Sequence, residues 1–346
     1  MSLLLAVLAS ASLPAAAEDA LLLRIVAIGD TGKALSPVCG TDAATTTIVT
    51  CAAQYEQLRA HLAALSPAPD LVLATGDLYY GEPATVGAYR RGLARFWRKW
   101  SGPTVLPMRG NHDLSEDVRT STQPKVANTL AAAFPLPADS PWDRVPCVDG
   151  VDDPTRLCYA GAKNGVCVVV GDSANVDDIR IPVFGAACDW KIAGQHHPPA
   201  TSFEKKSELE RVAAALAVRA PDAVIAGHAH HLEGLVAEST AARVATEPTR
   251  MLSVVSGSGS EARLPNAPVV LADGTIANIG VNPEGGGLTG LRPAYVYADH
   301  GYTVVDVYPD HLLIRPIVLR DTGPTEAPCW RWDKVGQTLE PASCMP

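Results

Sequence analysis

Five short apolar runs in this chain stop, at once or one residue later, at a glycine that introduces Asp, Asn or His. Leu22–Ile28 leads into Gly29-Asp30-Thr31-Gly32, and Leu71–Thr75 into Gly76-Asp77-Leu78-Tyr79-Tyr80. Thr104–Met108 leads into Arg109-Gly110-Asn111-His112-Asp113, Lys191–Ala193 into Gly194-Gln195-His196-His197-Pro198, and Ala223–Ala226 into Gly227-His228-Ala229-His230. Apolar runs of this length read as buried strands. In open α/β sheets ligands bind beyond the carboxyl ends of the strands, so the five polar groups should converge on one crevice. A glycine before each group would let the backbone turn sharply enough for short side chains to share a centre.

The rest of the chain fits an α/β class. Val166–Gly171 and Leu252–Ser256 read as further buried strands, while Tyr302–Val307 and His311–Val318, split by Pro309-Asp310, read as a hairpin. Thr45–Leu65, with Ile48, Ala52, Tyr55, Leu58, Leu62 and Leu65 on one side, has helical periodicity, as does Lys206–Ala220. Each precedes a strand, as a crossover helix does. Pro135–Gly165, Leu264–Pro293 and the tail after Asp321 read as loops, and none has the composition of an interdomain linker. The expected organisation is one domain over residues 18–346 with decorating loops.

Composition narrows the partners and the compartment. With 47% hydrophobic residues and a mean hydropathy of +0.09, global disorder is excluded. The net charge is −9 and no block of Lys and Arg occurs, which argues against a groove for long nucleic acid. The fullest basic stretch, Arg90–Lys99, is interrupted by Leu93, Phe96 and Trp97 and reads as an amphipathic helix. Residues 1–17 read as a signal peptide, with apolar Leu3–Leu13 before a small-residue site at Ala15–Ala17. No Lys or Arg precedes that run, and a buried N-terminal strand or helix is the alternative. No stretch is long and apolar enough to span a bilayer, so no membrane partner is expected. Eight cysteines without a C-x-x-C pair point to disulfides in a secreted or periplasmic setting. Cys39–Cys51, Cys147–Cys158 and Cys329–Cys344 are expected as local pairs; Cys167 and Cys188 remain, unless Cys167 is a buried thiol.

The residue types carry chemistry. Asp and Tyr supply anionic oxygens and His and Asn neutral donors, which is what a two-metal site needs, with one Asp bridging both ions. Each residue also has a plainer reading. Asp30 and Asp77 could be turn or capping carboxylates, Asn111 a left-handed turn residue, Tyr80 a core aromatic, and His228, His230 and His231 a surface cluster. Tyr79, His197 and His231 keep that plainer reading, as do His61, His300 and His311 on an exposed helix face or at strand ends. For the remainder it requires five coincidences in order. Other motifs fail. Gly257–Ala262 imitates a dinucleotide fingerprint but is followed by LPNAP instead of a helix, and neither a P-loop spacing nor G-x-S-x-G occurs.

Taken in order, GD-x-G, GD-x-x-Y, GNH-D, a His before Pro and GH-x-H resemble the calcineurin-like metallophosphoesterase superfamily, over roughly Arg24–Leu319. Within it they are similar to the purple acid phosphatases, because Gly32 stands where the superfamily usually has His, and Tyr80 matches the tyrosine that compensates. The resemblance implies a two-sheet β-sandwich core flanked by helices. It also implies two metal ions, one held by Asp30, Asp77, Tyr80 and His230, the other by Asp77, Asn111, His196 and His228. The first set is rich in anions and suits Fe(III); the second suits a divalent Fe, Zn or Mn. Water acidified by the ions would attack phosphorus in line. His112 would contact phosphate or protonate the leaving alkoxide, with Asp113 available to orient it. The expected activity is acid hydrolysis of a small phosphate monoester. A diester or nucleotide hydrolase is the alternative, because only 23 residues separate Asp172 from His196, where the family places a full helix. Asp177–Trp190 can hold at most a short turn, which would expose the sheet or widen the pocket. A non-enzymatic secreted binding protein is a third reading, since no second histidine lies between Pro199 and Pro221.

Overall fold

The computed structural model describes residues 20–32, 40–42, 47–49, 52–80, 97, 102–113, 123–148, 150–185, 187–201, 206–239, 249–259, 261–263, 268–270, 276–278, 293–297, 299–320 and 322–344. The expected signal segment, the Cys39–Cys51 pair and all of Arg90–Lys99 but Trp97 lie outside them.

In chain order, β1 (Leu23–Ile28), β2 (Gly40–Asp42) and β3 (Thr47–Val49) precede helix α1 (Ala52–Ala63). Then come β4 (Leu71–Ala74), β5 (Thr104–Pro107) and α2 (Gln123–Ala133). β6 (Trp142–Val145), β7 (Cys158–Lys163), β8 (Val166–Val170) and β9 (Trp190–Gly194) lead to α3 (Lys206–Ala217). Next are β10 (Ala223–Ala226), β11 (Leu232–Ser239), β12 (Thr249–Ser256), β13 (Glu261–Arg263), β14 (Pro268–Val270) and β15 (Ile276–Asn278). The chain closes with β16 (Tyr295–Tyr297), β17 (Gly301–Val307), β18 (His311–Arg320), β19 (Gly323–Glu326), β20 (Cys329–Asp333) and β21 (Thr338–Ala342).

Among the described residues, two eight-stranded sheets carry the fold. One runs β21-β20-β18-β17-β1-β4-β5, with β19 on β18; the other runs β16-β11-β12-β10-β9-β8-β7-β6. In the first, β1, β4 and β5 are parallel; in the second, β8, β9, β10 and β12 are. These strands are the apolar runs of the sequence, and burial on both faces is why they are mostly apolar; the buried Arg24 of β1 is paired with Asp306. The sheets press face to face. Leu73, Val170, Ile225 and Leu252 share one core, and a Cβ at Gly194 would lie 2.4 Å from Met108 Cε. Helix α1 packs on the first sheet, where His61 Nδ1 meets the Tyr302 hydroxyl at 2.6 Å. Helix α3 buries Val212 and Leu216 against Val224, Leu235 and Met251 of the second. The result is the layered sandwich flanked by helices. At their carboxyl ends the two sheets are joined, since the Thr75 hydroxyl beyond β4 donates to the carbonyl of Ser256 in β12 at 3.1 Å.

Several expectations change. The helix expected over Thr45–Leu65 is shorter: Thr47–Val49 is a strand, as its β-branched residues favour, and α1 begins at Ala52. Pro135–Gly165 is not all loop, for it contains β6 and β7, and Asn164-Gly165 turns β7 into β8 with φ of 50° and 79°. Those angles are those of a type I′ hairpin. The tail after Asp321 contributes three strands to the first sheet, with Trp330 and Trp332 alternating inward around Arg331. In Leu264–Pro293, β14 and β15 pair as a short ribbon. Disulfides join Cys147–Cys158, Cys167–Cys188 and Cys329–Cys344. The span before His196 has no helix among the described residues, yet the sheet is not exposed there, because Ile181 and Phe184 cover Val169 and Ala193.

Candidate metal centre

Asp30, Asp77, His228 and His230 all adopt left-handed backbone, with φ of 55°, 49°, 71° and 51°. Residues with a Cβ rarely accept this region, and when the surrounding structure holds them there the turn is usually functional. The glycines act differently from expectation. Of those introducing the five groups only Gly76 has positive φ, at 91°. The acids and histidines make the turns themselves, and the glycines supply room. A Cβ at Gly110 would lie 2.0 Å from Asp77 Oδ1, and one at Gly76 would lie 2.3 Å from His196 Nδ1.

The carboxyl ends of β1, β4, β5, β9 and β10 bring seven side chains together in two groups. In the first, the Tyr80 hydroxyl donates to Asp30 Oδ1 at 2.8 Å and stands 2.8 Å from His230 Nε2, which is 3.2 Å from the same carboxylate oxygen. In the second, Asn111 Oδ1 lies 2.9 Å from His196 Nε2 and 3.0 Å from His228 Nδ1, and those nitrogens are 3.2 Å apart. Asp77 stands between the groups. Its donor oxygen lies within 4.8 Å of those of Asp30 and His230, and its Oδ2 is 3.5 Å from His196 Nε2.

This donor set fits metal ions. His196 Nδ1 lies 2.8 Å from the Thr75 carbonyl, which commits that N–H and turns Nε2 inward. There it meets Asn111 Oδ1 and Asp77 Oδ2, and the latter is buried without a hydrogen-bond partner. Converging acceptors of this kind call for a cation. The local field agrees. Burial opposes charge on both Asp77 and His196, yet their attraction holds Asp77 well below the usual carboxylate range and lifts His196 to about 9. Burial, then the carboxylates of Asp30 and Asp77, hold the Tyr80 phenol well above its ordinary value.

Gly32 explains how Tyr80 gets there. Its N–H donates to the Asp77 carbonyl at 3.0 Å, and its own carbonyl accepts the Tyr80 N–H at 3.2 Å. A Cβ at Gly32 would lie 2.2 Å from the Tyr79 nitrogen, so no histidine fits. Tyr79 packs partly buried against the core. His112 is exposed at the mouth; its ring lies 4.6 Å from that of Tyr80, and its backbone N–H donates to Asp77 Oδ1 at 2.9 Å. Partial burial lowers its pKa. Asp113 is buried and accepts the N–H groups of Gly110, Tyr79 and Leu78 at 2.8, 3.2 and 3.4 Å, which ties the loop after β5 to the loop after β4. Burial and the nearby Asp77 charge push its carboxyl up to about 7.

Other residues near the site were not singled out from sequence. Buried Arg109 grips Asp172 through Nε at 2.7 Å and Nη2 at 2.6 Å, and the Ser173 hydroxyl accepts the N–H groups of His196 and His197 at 3.0 Å each. A charged residue directly beside GNH was the available signal for Arg109. His197 and His231 are not on the surface. His197 is 5% exposed, with its ring 4.2 Å from that of His228. His231 is buried with Nε2 2.9 Å from Glu233 Oε2, an oxygen that also accepts the Thr201 hydroxyl at 2.6 Å. His300, at the start of β17, is likewise buried, with Nδ1 3.1 Å from the Ser258 carbonyl, and His311 packs on Tyr308.

The model of the calcineurin-like phosphoesterases matches residues 23–232. The chain belongs to that family and is a phosphoric ester hydrolase. No curated protein matches it in sequence. Among solved structures, PhoD superposes with a TM-score of 0.57 at 13% identity, over 97% of this chain and 74% of that one. Purple acid phosphatase PPD1 from seeds of yellow lupin (Lupinus luteus) superposes with a TM-score of 0.53 at 14% identity, over 88% of this chain and 53% of its own. At such identities the likeness is one of fold. Among the described residues no helix is long and apolar enough to cross a membrane.

Proposed function

We propose that this chain is a dinuclear acid phosphomonoesterase of the purple acid phosphatase type. The observation that carries the reading is Asp77, a buried carboxylate with an unpartnered oxygen between an anionic donor group and a neutral one. One ion would be held by Asp30, Asp77, Tyr80 and His230, whose anionic oxygens favour Fe(III). The other would be held by Asp77, Asn111, His196 and His228, which favour divalent Fe, Zn or Mn. Bound there, the pair supplies acidified water and neutralises charge on the phosphoryl oxygens. The remaining work falls to the chain. His112, at the mouth, holds a phosphoryl oxygen or gives its proton to the leaving alkoxide. Asp113 is a positioning residue that keeps the Gly110–Asp113 turn against the Asp77 turn. Metal analysis with a visible spectrum and an aryl monoester assay across pH tests this. One iron and one divalent ion per chain, visible charge-transfer absorption and an acidic optimum are expected; a colourless iron-loaded protein would overturn the Tyr80 assignment.

The span between β8 and β9, which has no helix among its described residues, favours a second reading on diesters or nucleotides. Relative turnover of an aryl monoester and an aryl diester separates the two. The three disulfides support a secreted or periplasmic location, with residues 1–17 removed on export. The tail strands share a sheet with β1, which supports treating residues 18–346 as one domain.

A further inference from the structure

His197 occupies the middle of the H-x-P turn and has no role in the ligand sets above. Its side chain is buried, and Nδ1 has no hydrogen-bond partner. One ring nitrogen of each of His196, His197 and His228 lies within 4.8 Å of the others. The His197 ring is 4.2 Å from that of His228, tilted 44°, and 5.0 Å from that of His196, edge-on at 84°. Its backbone is clamped on both sides, with N–H donated to Ser173 Oγ at 3.0 Å and the carbonyl accepting Gln195 Nε2 at 2.5 Å. Pro198 restricts the residue further. The ring is therefore held against the divalent-ion side of the centre.

We infer that His197 is a third imidazole ligand for the divalent ion. This rests on the dinuclear reading proposed above and sharpens it. A neutral imidazole has one N–H and one lone pair. Three imidazoles directed at one small volume, beside Asn111 Oδ1 and the Asp77 carboxylate, make a nitrogen-rich donor set. Such a set prefers Zn(II) or Fe(II) over Mn(II), which favours carboxylate and water oxygens.

The test is titration of Zn(II) and Mn(II) into the full-length, iron-loaded protein, comparing wild type with His197→Ala, His197→Gln and His228→Ala. Both His197 variants are expected to lose at least tenfold in Zn(II) affinity and less in Mn(II) affinity, with iron content and the melting temperature of the divalent-free protein retained. Zinc X-ray absorption on the wild type needs no variant to fold and is expected to count three imidazoles. If His228→Ala loses Zn(II) while both His197 variants stay within twofold of wild type, or if only two imidazoles are counted, the inference fails and the dinuclear reading stands. If wild type takes up no divalent ion at all, that reading fails and takes this one with it.

Discussion

Tyr80 reaches Asp30 Oδ1 and His230 Nε2 at 2.8 Å each through a single hydroxyl, so replacing it by Phe removes one atom and little packing. Tyr80→Phe should abolish visible absorption and lower iron content while leaving the divalent ion bound, as metal analysis and the spectrum would register. Asn111 has the converse role, with one carbonyl oxygen shared between His196 and His228. Asn111→Ala should lower kcat/KM for an aryl monoester on the order of 10²-fold, the scale at which removing one preorganised polar group acts. An unchanged melting curve would show that the loss is local. Gly110→Ala should be as harmful as either, because the new Cβ meets Asp77 Oδ1 at 2.0 Å and the Asp77 nitrogen at 2.3 Å; loss of the divalent ion would report it. These residues were legible in sequence because each sits in a motif. His197 was not, since nothing in a linear string says which way a strand-end ring turns.

Between elements, the Arg109–Asp172 pair holds the end of β5 against the end of β8 behind the His196 turn. Both side chains are almost fully buried. Arg109→Met should cost up to about 3–5 kcal/mol by leaving the buried Asp172 charge to Arg156 alone, at 3.4 Å, whereas adding Asp172→Leu should recover only part of it, because the Leu157 N–H then loses its acceptor. Denaturant titration of the single and double variants decides this, and additive losses would count against it. At the other end of β8, Gly165→Val should cost about 1–3 kcal/mol, the price of forcing a branched residue into left-handed backbone. There φ is 79° and Asp189 Oδ2 lies 2.4 Å from the new Cβ. Asn-Gly was a readable hairpin signal inside a stretch whose Gly, Pro and Asp content suggested loop. Trp330 and Trp332 around Arg331 were an equally readable alternation. Composition over a long window outweighed a two-residue or five-residue pattern in both places.

In the whole molecule, the candidate centre joins turns from both sheets, so occupying it should stabilise the entire sandwich. A ligand at 100 times its Kd adds about 2.7 kcal/mol, and a chelator should lower the melting midpoint by several degrees. Re-addition of Zn(II) with iron should restore it, and a midpoint indifferent to chelation would mean that the two sheets do not share bound ions. The order of apolar runs and polar turn groups along the chain sufficed for the fold family and for naming seven candidate donor residues, which the structure brings close together. Periodicity and turn chemistry are local properties, written over a few neighbouring residues. What only tertiary structure decided was which sheet each tail strand joins, that Arg109 pairs with Asp172, that Gly32 makes way for Tyr80, and that His197 points inward. Those outcomes depend on distances between atoms far apart in the chain, and such distances exist only once two sheets have packed.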